Sequence, residues 1–369
     1  MGRKGGALSH VRPDELAGLV LAELIARNGL DPLMVDDVIM GCVTQIGEQG
    51  YNVGRMACLA AGLPVEVPGL SLNRMCGSGQ QAVNFACMAV MSGQADIVIG
   101  AGVESMSRVA MGSDGGDLSP KVTDRFLIIP QGLSAELVAE RWNLGREELD
   151  AFSYESHRRA IRAIDAGLFQ EEIVPVPVTL PDGSEVVVSE DETPRRDTSP
   201  EKMASLEPCF KDGGVVTAGN SSQISDGAAA VLVMSRERAR ELGLRPRARF
   251  VASALSGVDP TIMLTGPIPA TRKILDKAGL ALEDMDVIEV NEAFASVVLA
   301  WGRELEPDWS RVNPNGGSIA LGHPLGTTGA RLIGSTVREL ERRGGRYALI
   351  TMCIGFGMGI ATILERVEA

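Results

Sequence analysis

The apolar positions of this chain alternate between two spacings. From Ser78 onward, apolar residues recur every three to four positions and then form an uninterrupted β-branched run, Ile97–Ile99. The first spacing predicts an amphipathic helix and the second a buried strand. The same order recurs near the C-terminus, in GTTGARLIGSTVRELERRGGRYALITMC. Helices that alternate with buried strands indicate a layered α/β fold.

A shift of about 250 residues brings these two regions into register. Gly79 falls on Gly329, and the strand at 97–99 falls on 347–349. Upstream, Gly29 falls on Gly279, each at the end of a helical pattern, and DVIM matches DVIEV within one residue. We interpret this as an internal duplication. Two unrelated α/β stretches with a similar order of elements are the alternative interpretation.

The duplication is interrupted in the middle of the chain. Residues 112–216 contain Gly-, Asp- and Ser-rich loops, two helical patterns (Ser134–Trp142 and Arg146–Gly167), an alternating strand and a charged loop. We predict that they form an inserted loop subdomain over one face. The N-terminal half then comprises residues 1–111 and 217–243, and the C-terminal half comprises residues 244–369.

One strand of the second half has no counterpart in the first half. The segment Arg247–Leu255 reads as a strand, and the corresponding position in the first half lies upstream of Met1. We therefore expect the first N-terminal strand to be missing from inside the first sheet. Two neighbouring strands would then keep buried unpaired N–H and C=O groups, each costing about 1–3 kcal/mol. A chain of these 369 residues is accordingly expected to be poorly soluble or inactive.

Composition narrows the class of partner. The formal charge of −13 and the pI of about 4.9 argue against nucleic acid or an anionic membrane as the main partner. No apolar run reaches the length of about 18 residues that a membrane span needs. The six cysteines stand at irregular spacings without a CxxC pair, which indicates neither a zinc site nor a disulfide framework. Reduced thiols favour a cytoplasmic location.

Cys76 stands in the segment NRMCGSG, directly before a helical pattern. A helix N-terminus stabilises a thiolate through its dipole and its free N–H groups, so we expect a pKa below the usual value of about 8.5. Gly77 and Gly79 leave room for an acyl group close to the backbone. An inert buried cysteine is the alternative.

One of the three histidines lies in a glycine-rich loop. We expect His10 and His157, which stand in polar surroundings, to be solvated. His323 lies in NPNGGSIALGHPLG, and the duplication places Cys76 on Gly326 of the same loop. The two loops should therefore meet, and a Cys–His pair is the minimal activated nucleophile.

Two further polar residues follow predicted strands of the second half. Cys353 ends one strand and opens the glycine turn IGFGMG, where its thiol could exchange protons near neutral pH. Asn291, in VNEAFAS, could hold a water or a substrate oxygen. A small core residue and an ordinary turn residue are the respective alternatives.

In this order, the segments NRMCGSG, GNSSQISDGAAA, GPIPA, NEAFA, NPNGGSIALGHPLG and CIGFGMG resemble the thiolase family, the acetyl-CoA C-acyltransferases. The resemblance covers nearly the whole chain. It implies a duplicated βαβαβαββ fold in an αβαβα layer arrangement. Acetoacetyl-CoA-forming members usually carry a histidine before Met-Gly in the inserted segment. This chain has Pro130-Gln131-Gly132 there, and looks more like the degradative 3-ketoacyl-CoA thiolases.

The resemblance also implies a role for each candidate residue. Cys76 would accept the acyl group, and His323 would take its proton and help polarise the substrate carbonyl. Cys353 would protonate the leaving acetyl-CoA carbanion. Asn291 would hold a water in one oxyanion hole, and the N–H groups of Cys76 and Gly355 would form the other, each donor contributing about 10²–10³-fold.

The implied partners are small molecules. Coenzyme A and acyl-CoA would be substrates, with no permanently bound cofactor, and the pantetheine arm would pass the apolar wall of Phe294 beneath the insertion. The family implies a homodimer or homotetramer, and an association with other β-oxidation enzymes. One departure is Phe356, which stands where the family usually has glycine.

Three functions fit the resemblance to different degrees. Thiolytic cleavage of 3-ketoacyl-CoA is the expected reaction, and acetoacetyl-CoA synthesis by the same residues is the alternative. A non-catalytic acyl-CoA- or lipid-binding protein is less favoured, because Cys76, His323 and Cys353 are all present. A β-ketoacyl synthase would need a second histidine in place of Asn291.

Overall fold

The computed structural model of the protein describes residues 1–367. Its strands are β1 (Gly2–Arg3), β2 (Asp37–Gly41), β3 (Gly69–Leu72), β4 (Ile97–Ser105), β5 (Val176–Thr179), β6 (Glu185–Val188), β7 (Ser225–Met234), β8 (Ala248–Gly257), β9 (Met285–Val290), β10 (Tyr347–Ile354) and β11 (Met358–Arg366). Its α-helices are α1 (Pro13–Arg27), α2 (Val53–Ala60), α3 (Ser78–Met91), α4 (Pro120–Thr123), α5 (Gln131–Arg141), α6 (Arg146–Asp165), α7 (Pro200–Ala204), α8 (Arg236–Glu241), α9 (Pro267–Ala278), α10 (Ala295–Leu305), α11 (Ser318–Leu321) and α12 (Thr328–Arg343).

Two sheets repeat one strand pattern. The first sheet has the order β1-β7-β4-β2-β3, and the second has the order β8-β11-β10-β9. In both, a central strand pairs antiparallel with one neighbour and parallel with the other: β4 with β7 and β2, and β10 with β11 and β9. Helix α3 begins 250 residues before α12, and β4 begins 250 residues before β10, since 78 + 250 = 328 and 97 + 250 = 347. The internal duplication is confirmed.

The sheets and helices stack in five layers. Helices α3 and α12 contact each other and lie between the two sheets. Helices α1 and α2 cover the outer face of the first sheet, and α9 covers that of the second. Each layer boundary has its own apolar core, because a helix stripe or sheet face must be buried against another element. The predicted αβαβα arrangement is confirmed.

Helix ends follow the local sequence. Pro13 opens α1 with Asp14 and Glu15 in its first turn, where the missing proline N–H and the negative charges suit a helix N-terminus. Gly344 ends α12 in the left-handed conformation that a residue without Cβ adopts at little cost.

The structure corrects our expectation of a gap inside the first sheet. Strand β8, the segment whose counterpart we expected to be missing, pairs only with β11 and lies at a sheet edge. In the first sheet that edge holds the two-residue strand β1, in which Gly2 pairs with Asp226 and Arg3 with Ser225. A repeat in sequence gives the order of strands along the chain but not their lateral order in a sheet. The inner-strand argument for an inactive chain therefore fails.

The chain between the halves packs onto them. Its helices α5 and α6 begin and end within three residues of the predicted patterns, and β5 pairs with β6 in a small antiparallel sheet. The expectation that His157, on α6, is solvated was wrong. Its side chain is buried, and its Nδ1 accepts a hydrogen bond from Arg195 N (3.1 Å) where the chain returns over α6.

Glycines allow the two halves to touch through their backbones. A Cβ on Gly102 of β4 would lie 2.0 Å from Gly326 O, and one on Gly79 would lie 2.5 Å from the same oxygen. A Cβ on Gly329 would lie 2.2 Å from Gln80 N. The loop that carries His323 therefore rests directly on β4 and on the start of α3.

Candidate active site

The turn before α3 holds Cys76 in a fixed position. Met75 has a φ of +46°, which is uncommon for a residue with a side chain. Two side chains stabilise this backbone conformation through hydrogen bonds. Asn73 Oδ1 accepts from Met75 N (2.7 Å), and Ser78 Oγ accepts from Arg74 N (2.8 Å) while it donates to Met75 O (2.6 Å). The NRMCGS segment is therefore a hydrogen-bonded turn that places Cys76 just ahead of α3.

Burial controls the protonation of Cys76. The residue is 4% exposed, and this desolvation raises the pKa of its thiol to about 11, although the N–H groups of Gly355 and Cys76 and the Gln131 side chain act to lower it. The expected pKa below 8.5 was wrong in direction, because withdrawal of the sulfur from water outweighs the donors at the helix start. The resting group is a thiol, and its activation requires a base.

Two residues of the second half, Cys353 and Gly355, lie close to the Cys76 sulfur. Cys353 is the penultimate residue of β10 and is 1% exposed. Burial raises the pKa of its thiol, and the charge on Cys76 raises it further, so the two thiols interact electrostatically. The N–H of Gly355 points to Cys76. The structure therefore brings Cys353 and Gly355 to Cys76, and the catalytic roles of these residues stay predictions.

His323 and Asn291 form a second group at the end of β9. Asn291 Nδ2 lies 3.3 Å from His323 Nε2, and Asn291 Oδ1 accepts from Ser318 Oγ (2.6 Å). His323 Nδ1 lies 2.7 Å from Thr328 Oγ1, which itself donates to Pro324 O (3.0 Å). All of these side chains are buried.

This network assigns the histidine tautomer. The Thr328 hydroxyl donates its only proton to Pro324 O, so it accepts from His323 Nδ1–H. His323 Nε2 then carries the lone pair, to which Asn291 donates. Burial lowers the pKa of His323 to about 3, with Arg331 adding to the effect. His323 is neutral near pH 7 and can act as a base through Nε2.

The two groups meet at neighbouring strand ends. Asn291 N donates to Thr351 O (3.0 Å), two residues before Cys353 on β10. Within residues 1–367, no direct hydrogen bond joins Cys76 to His323. The site therefore combines two buried thiols, a neutral imidazole and convergent N–H donors at the ends of β9 and β10.

Comparison with known proteins identifies this arrangement. Residues 1–237 match the family model of the thiolase N-terminal domain, and residues 244–366 match that of the thiolase C-terminal domain. The chain belongs to the thiolase family. It is an acyltransferase, since that is the chemistry the family's members share.

Curated relatives of this thiolase act on different substrates. It is 48% identical to a steroid 3-ketoacyl-CoA thiolase of Mycobacterium tuberculosis, over 99% of this chain and 91% of that protein. It is also 48% identical to a 3-oxoadipyl-CoA/3-oxo-5,6-dehydrosuberyl-CoA thiolase of Escherichia coli, over 100% and 97% of the two chains. The crystal structure of a Bacillus anthracis acetyl-CoA acetyltransferase superposes with a TM-score of 0.92 at 42% identity, covering 99% and 96%.

The second half and the segment between the halves together form an aromatic cluster beside the site of this thiolase. Phe294, which precedes α10, packs in one apolar cluster with Cys353. The ring of Phe210 meets it edge to face, with centroids 6.0 Å apart. A Cβ on Gly132 would lie 2.1 Å from the same Phe210 ring, so the start of α5 is held against it. Phe294 therefore lies in the same apolar cluster as Cys353, and its contact with the pantetheine arm stays a prediction.

Sequence reasoning missed two buried carboxylates that support the site. Glu104, on β4, accepts from Val43 N (2.9 Å), Thr44 N (3.1 Å) and Gly326 N (2.9 Å). Glu292, next to Asn291, accepts from Ser156 Oγ (2.7 Å) and from Asn313 Nδ2 (2.9 Å), among others. A carboxylate directly after an apolar strand run was the available signal. These groups fix the loops that carry His323 and Asn291.

Two classes of feature are absent from the part of the thiolase that the structure describes. Residues 1–367 contain no group of three or more His, Cys, Asp or Glu side chains arranged to hold a metal ion. No helix in the same range is long and apolar enough to cross a membrane.

Proposed function

We propose that this thiolase cleaves 3-ketoacyl-CoA with coenzyme A, releasing acetyl-CoA and an acyl-CoA shortened by two carbons. The observation that carries the proposal is a pair of buried, electrostatically interacting thiols, Cys76 and Cys353, with the N–H groups of Cys76 and Gly355 acting on the Cys76 sulfur. One thiol can hold the acyl group while the other moves a proton. A neutral base, His323, completes the set.

In the first half-reaction, the Cys76 thiol gives its proton to His323 Nε2 and its sulfur attacks the 3-keto carbon. The bond between C2 and C3 then breaks, which leaves a thioester on Cys76 and the enolate of acetyl-CoA. Cys353 protonates that enolate at C2. The N–H groups of Gly355 and Cys76 stabilise the oxyanion on the attacked carbon, and Asn291 with His323 stabilises the enolate oxygen through a held water.

In the second half-reaction, a coenzyme A thiol replaces acetyl-CoA. The Cys353 thiolate takes its proton, and the resulting sulfur attacks the thioester carbon. Collapse of the adduct releases acyl-CoA, and Cys76 recovers its proton from His323. Both half-reactions exchange one thiol for another, so the sequence is ping-pong and reversible. Coenzyme A is thus a substrate, and no step needs a permanently bound cofactor.

Acetoacetyl-CoA synthesis is the second candidate, because the same groups run the reaction in reverse. Pro130-Gln131-Gly132, where synthetic members usually carry a histidine, favours degradation. We also propose that the substrates derive from fatty or related acyl degradation in the cytoplasm, and that the enzyme is a homodimer or homotetramer.

A substrate panel tests the proposal. Straight-chain, dicarboxylic and steroidal 3-ketoacyl-CoAs are incubated with coenzyme A while acetyl-CoA release is followed. We expect rapid cleavage of at least one class. A parallel incubation with acetyl-CoA alone measures the synthetic direction. Failure of every 3-ketoacyl-CoA, with accumulation of acetoacetyl-CoA from acetyl-CoA, would assign the enzyme to synthesis instead.

Two variants separate the roles of the thiols. Cys76→Ala should lower thiolysis by roughly a thousandfold or more and abolish the acyl adduct seen by mass spectrometry, because the nucleophile is gone. Cys353→Ser should still acquire the adduct from a reactive thioester, but should lose about 10²–10⁴-fold in carbon–carbon cleavage, because a hydroxyl is too weak an acid. An adduct on Cys353 alone would reverse the assignment.

A further inference from the structure

The side chain of Gln131 lies beside the turn that carries the proposed nucleophile. Gln131 is the first residue of α5, and its amide is one of the donors that lower the pKa of the Cys76 thiol. Gly355, whose N–H has the same effect on Cys76, stands directly beside this amide: a Cβ on Gly355 would lie 3.1 Å from Gln131 Nε2. A side chain at 355 would press on the amide and shift it by a few tenths of an ångström.

Helix α5 holds this amide rigidly. Ala135, Val138 and Ala139 bury one face of the helix in the same cluster as Cys353 and Phe294. Glu136 fastens the helix to the following chain, since its carboxylate accepts from Val215 N (3.0 Å) and Val216 N (2.8 Å). The Phe210 ring covers Gly132 at the first turn. A donor on a fixed element keeps its direction through the reaction.

The surroundings of Cys76 give that donor a role. Burial raises the pKa of Cys76, and Glu104 on β4 adds to this effect. Burial also raises the pKa of Cys353 on β10, and Cys76 adds to that effect. Three donors oppose the rise in the pKa of Cys76: the N–H groups of Cys76 and Gly355, and the Gln131 amide. Gln131 contributes a side-chain donor to this set, so substitution can remove it without changing the backbone.

We propose that Gln131 is a positioning residue that orients the Cys76 sulfur and stabilises its thiolate at the moment when His323 takes the proton. The proposal rests on the function assigned to Cys76. The segment between the two halves would then stabilise the reacting thiolate, in addition to covering the proposed path of the acyl group and the pantetheine arm.

Two substitutions separate a donor from a packing role. Gln131→Met keeps the length of the side chain without a donor, and Gln131→Glu keeps its shape but adds negative charge near the sulfur. Stabilisation of the thiolate predicts reactivity in the order wild type, Gln131→Met, Gln131→Glu. A packing role predicts that the isosteric Gln131→Glu stays closer to wild type than Gln131→Met. The exposed Gln94, beyond the end of α3, provides the matched control Gln94→Met.

The readout is alkylation of Cys76 by iodoacetamide between pH 7 and 9.5. Peptide mass spectrometry separates it from the alkylation of Cys209, which is exposed. Loss of one donor should raise the pKa of Cys76 by about one unit and lower its thiolate fraction tenfold. The more basic thiolate regains a factor of about three in nucleophilicity, so Gln131→Met should react three- to fourfold more slowly. Gln131→Glu should be slower still, and Gln94→Met unchanged.

The outcomes separate this proposal from the proposed function. Alkylation needs no ketoacyl substrate, so the order of rates tests Gln131 even if thiolysis is absent. Wild-type rates in both variants, or Gln131→Glu faster than Gln131→Met, would overturn it. Melting temperatures of the wild type and of both Gln131 variants show whether folding is intact. Thiolysis should fall in parallel with alkylation while KM for the ketoacyl-CoA stays nearly constant.

Discussion

Phe356 adopts a backbone conformation that suits glycine. It lies in the turn between β10 and β11 with a φ of +62°, and its ring is 47% exposed. A side chain in the left-handed region costs about 1–2 kcal/mol, and a half-exposed ring recovers little of this by packing. Cys353 stands three residues before Phe356, so the backbone strain lies close to a proposed proton donor.

Substitution of Phe356 by glycine and by alanine measures that strain. Both variants lose the ring, but only glycine relaxes the positive φ, so Phe356→Gly should be more stable than Phe356→Ala by about 1 kcal/mol. Urea unfolding gives the two free energies. Equal stability of the two variants would show that the turn tolerates a Cβ, and that the ring alone determines the effect of this position.

At the scale of residues, the sequence predicted the location of the candidate residues, because location follows from position in the chain. Each of them stands at or after the end of an apolar element: Cys76, Asn291, His323 and Cys353. The ends of such elements meet on one side of a layered fold. The environment of a residue was harder to predict. His157 is buried, and it accepts a hydrogen bond from the backbone N–H of Arg195, which is 38 residues away in sequence. The pKa of Cys76 depends on burial by both halves, which outweighs the local helix start.

At the scale of elements, the close contact of β4 with the loop before α12 controls the site. Gly102 of β4 faces Gly326 O at a separation that leaves no room for a Cβ. The same loop carries His323, and Glu104 on β4 holds it through Gly326 N. Any displacement of this loop moves the imidazole relative to Asn291.

A pair of glycine substitutions tests this contact. Gly102→Ala should destabilise the protein by about 1–3 kcal/mol, because backbone must move, and should also lower thiolysis. Gly334, inside α12, has open space around its Cβ position, so Gly334→Ala should stabilise by about 0.5–1 kcal/mol and leave activity unchanged. Chemical denaturation and thiolysis rates report both. A neutral Gly102→Ala would mean that the loop shifts freely.

The sequence predicted the elements of each half but not how their strands lie side by side. Periodicity identifies β4 and β10 as buried strands, and the duplication relates them. The edge position of β8 depends on its pairing with β11 alone, which no local pattern encodes. This is why the missing strand was wrongly expected inside the sheet. The hydrogen bonds of Glu104 could not be predicted for the same reason, since its partners come from two segments that are distant in sequence, at Val43 and at Gly326.

At the scale of the whole molecule, two buried neutral histidines set an acid limit on stability. Burial lowers the pKa of His157 to about 4 and that of His323 to about 3, from an ordinary 6.5. Between pH 6.5 and pH 4 the unfolded chain binds a proton at each site and the folded chain does not. The stability that each site contributes is therefore complete above pH 6.5 and is lost as pH falls.

Unfolding in urea at pH 7 and pH 5 should reveal this dependence. Each histidine should lower the free energy of unfolding by about 2 kcal/mol over that interval, or about 4 kcal/mol together. In His157→Gln the amide can still accept from Arg195 N, so the difference between variant and wild type isolates one site. An identical pH dependence of the two proteins would contradict the assignment of His157 as buried and neutral.

The contacts of Cys76 and of Gly326 describe two related corners of a pseudo-twofold arrangement. Cys76 in the first half corresponds to Gly326 in the second, since 76 + 250 = 326. Cys76 meets the end of β10 at Gly355, and Gly326 meets the end of β4 at Glu104. One corner holds the sulfur that we propose as the nucleophile, and the other holds a carboxylate that accepts backbone N–H groups. Duplication has thus given the chain two equivalent positions with different roles: the proposed reactive position and a structural one. With one proposed nucleophile, each chain would carry a single acyl group at a time, despite its twofold internal symmetry.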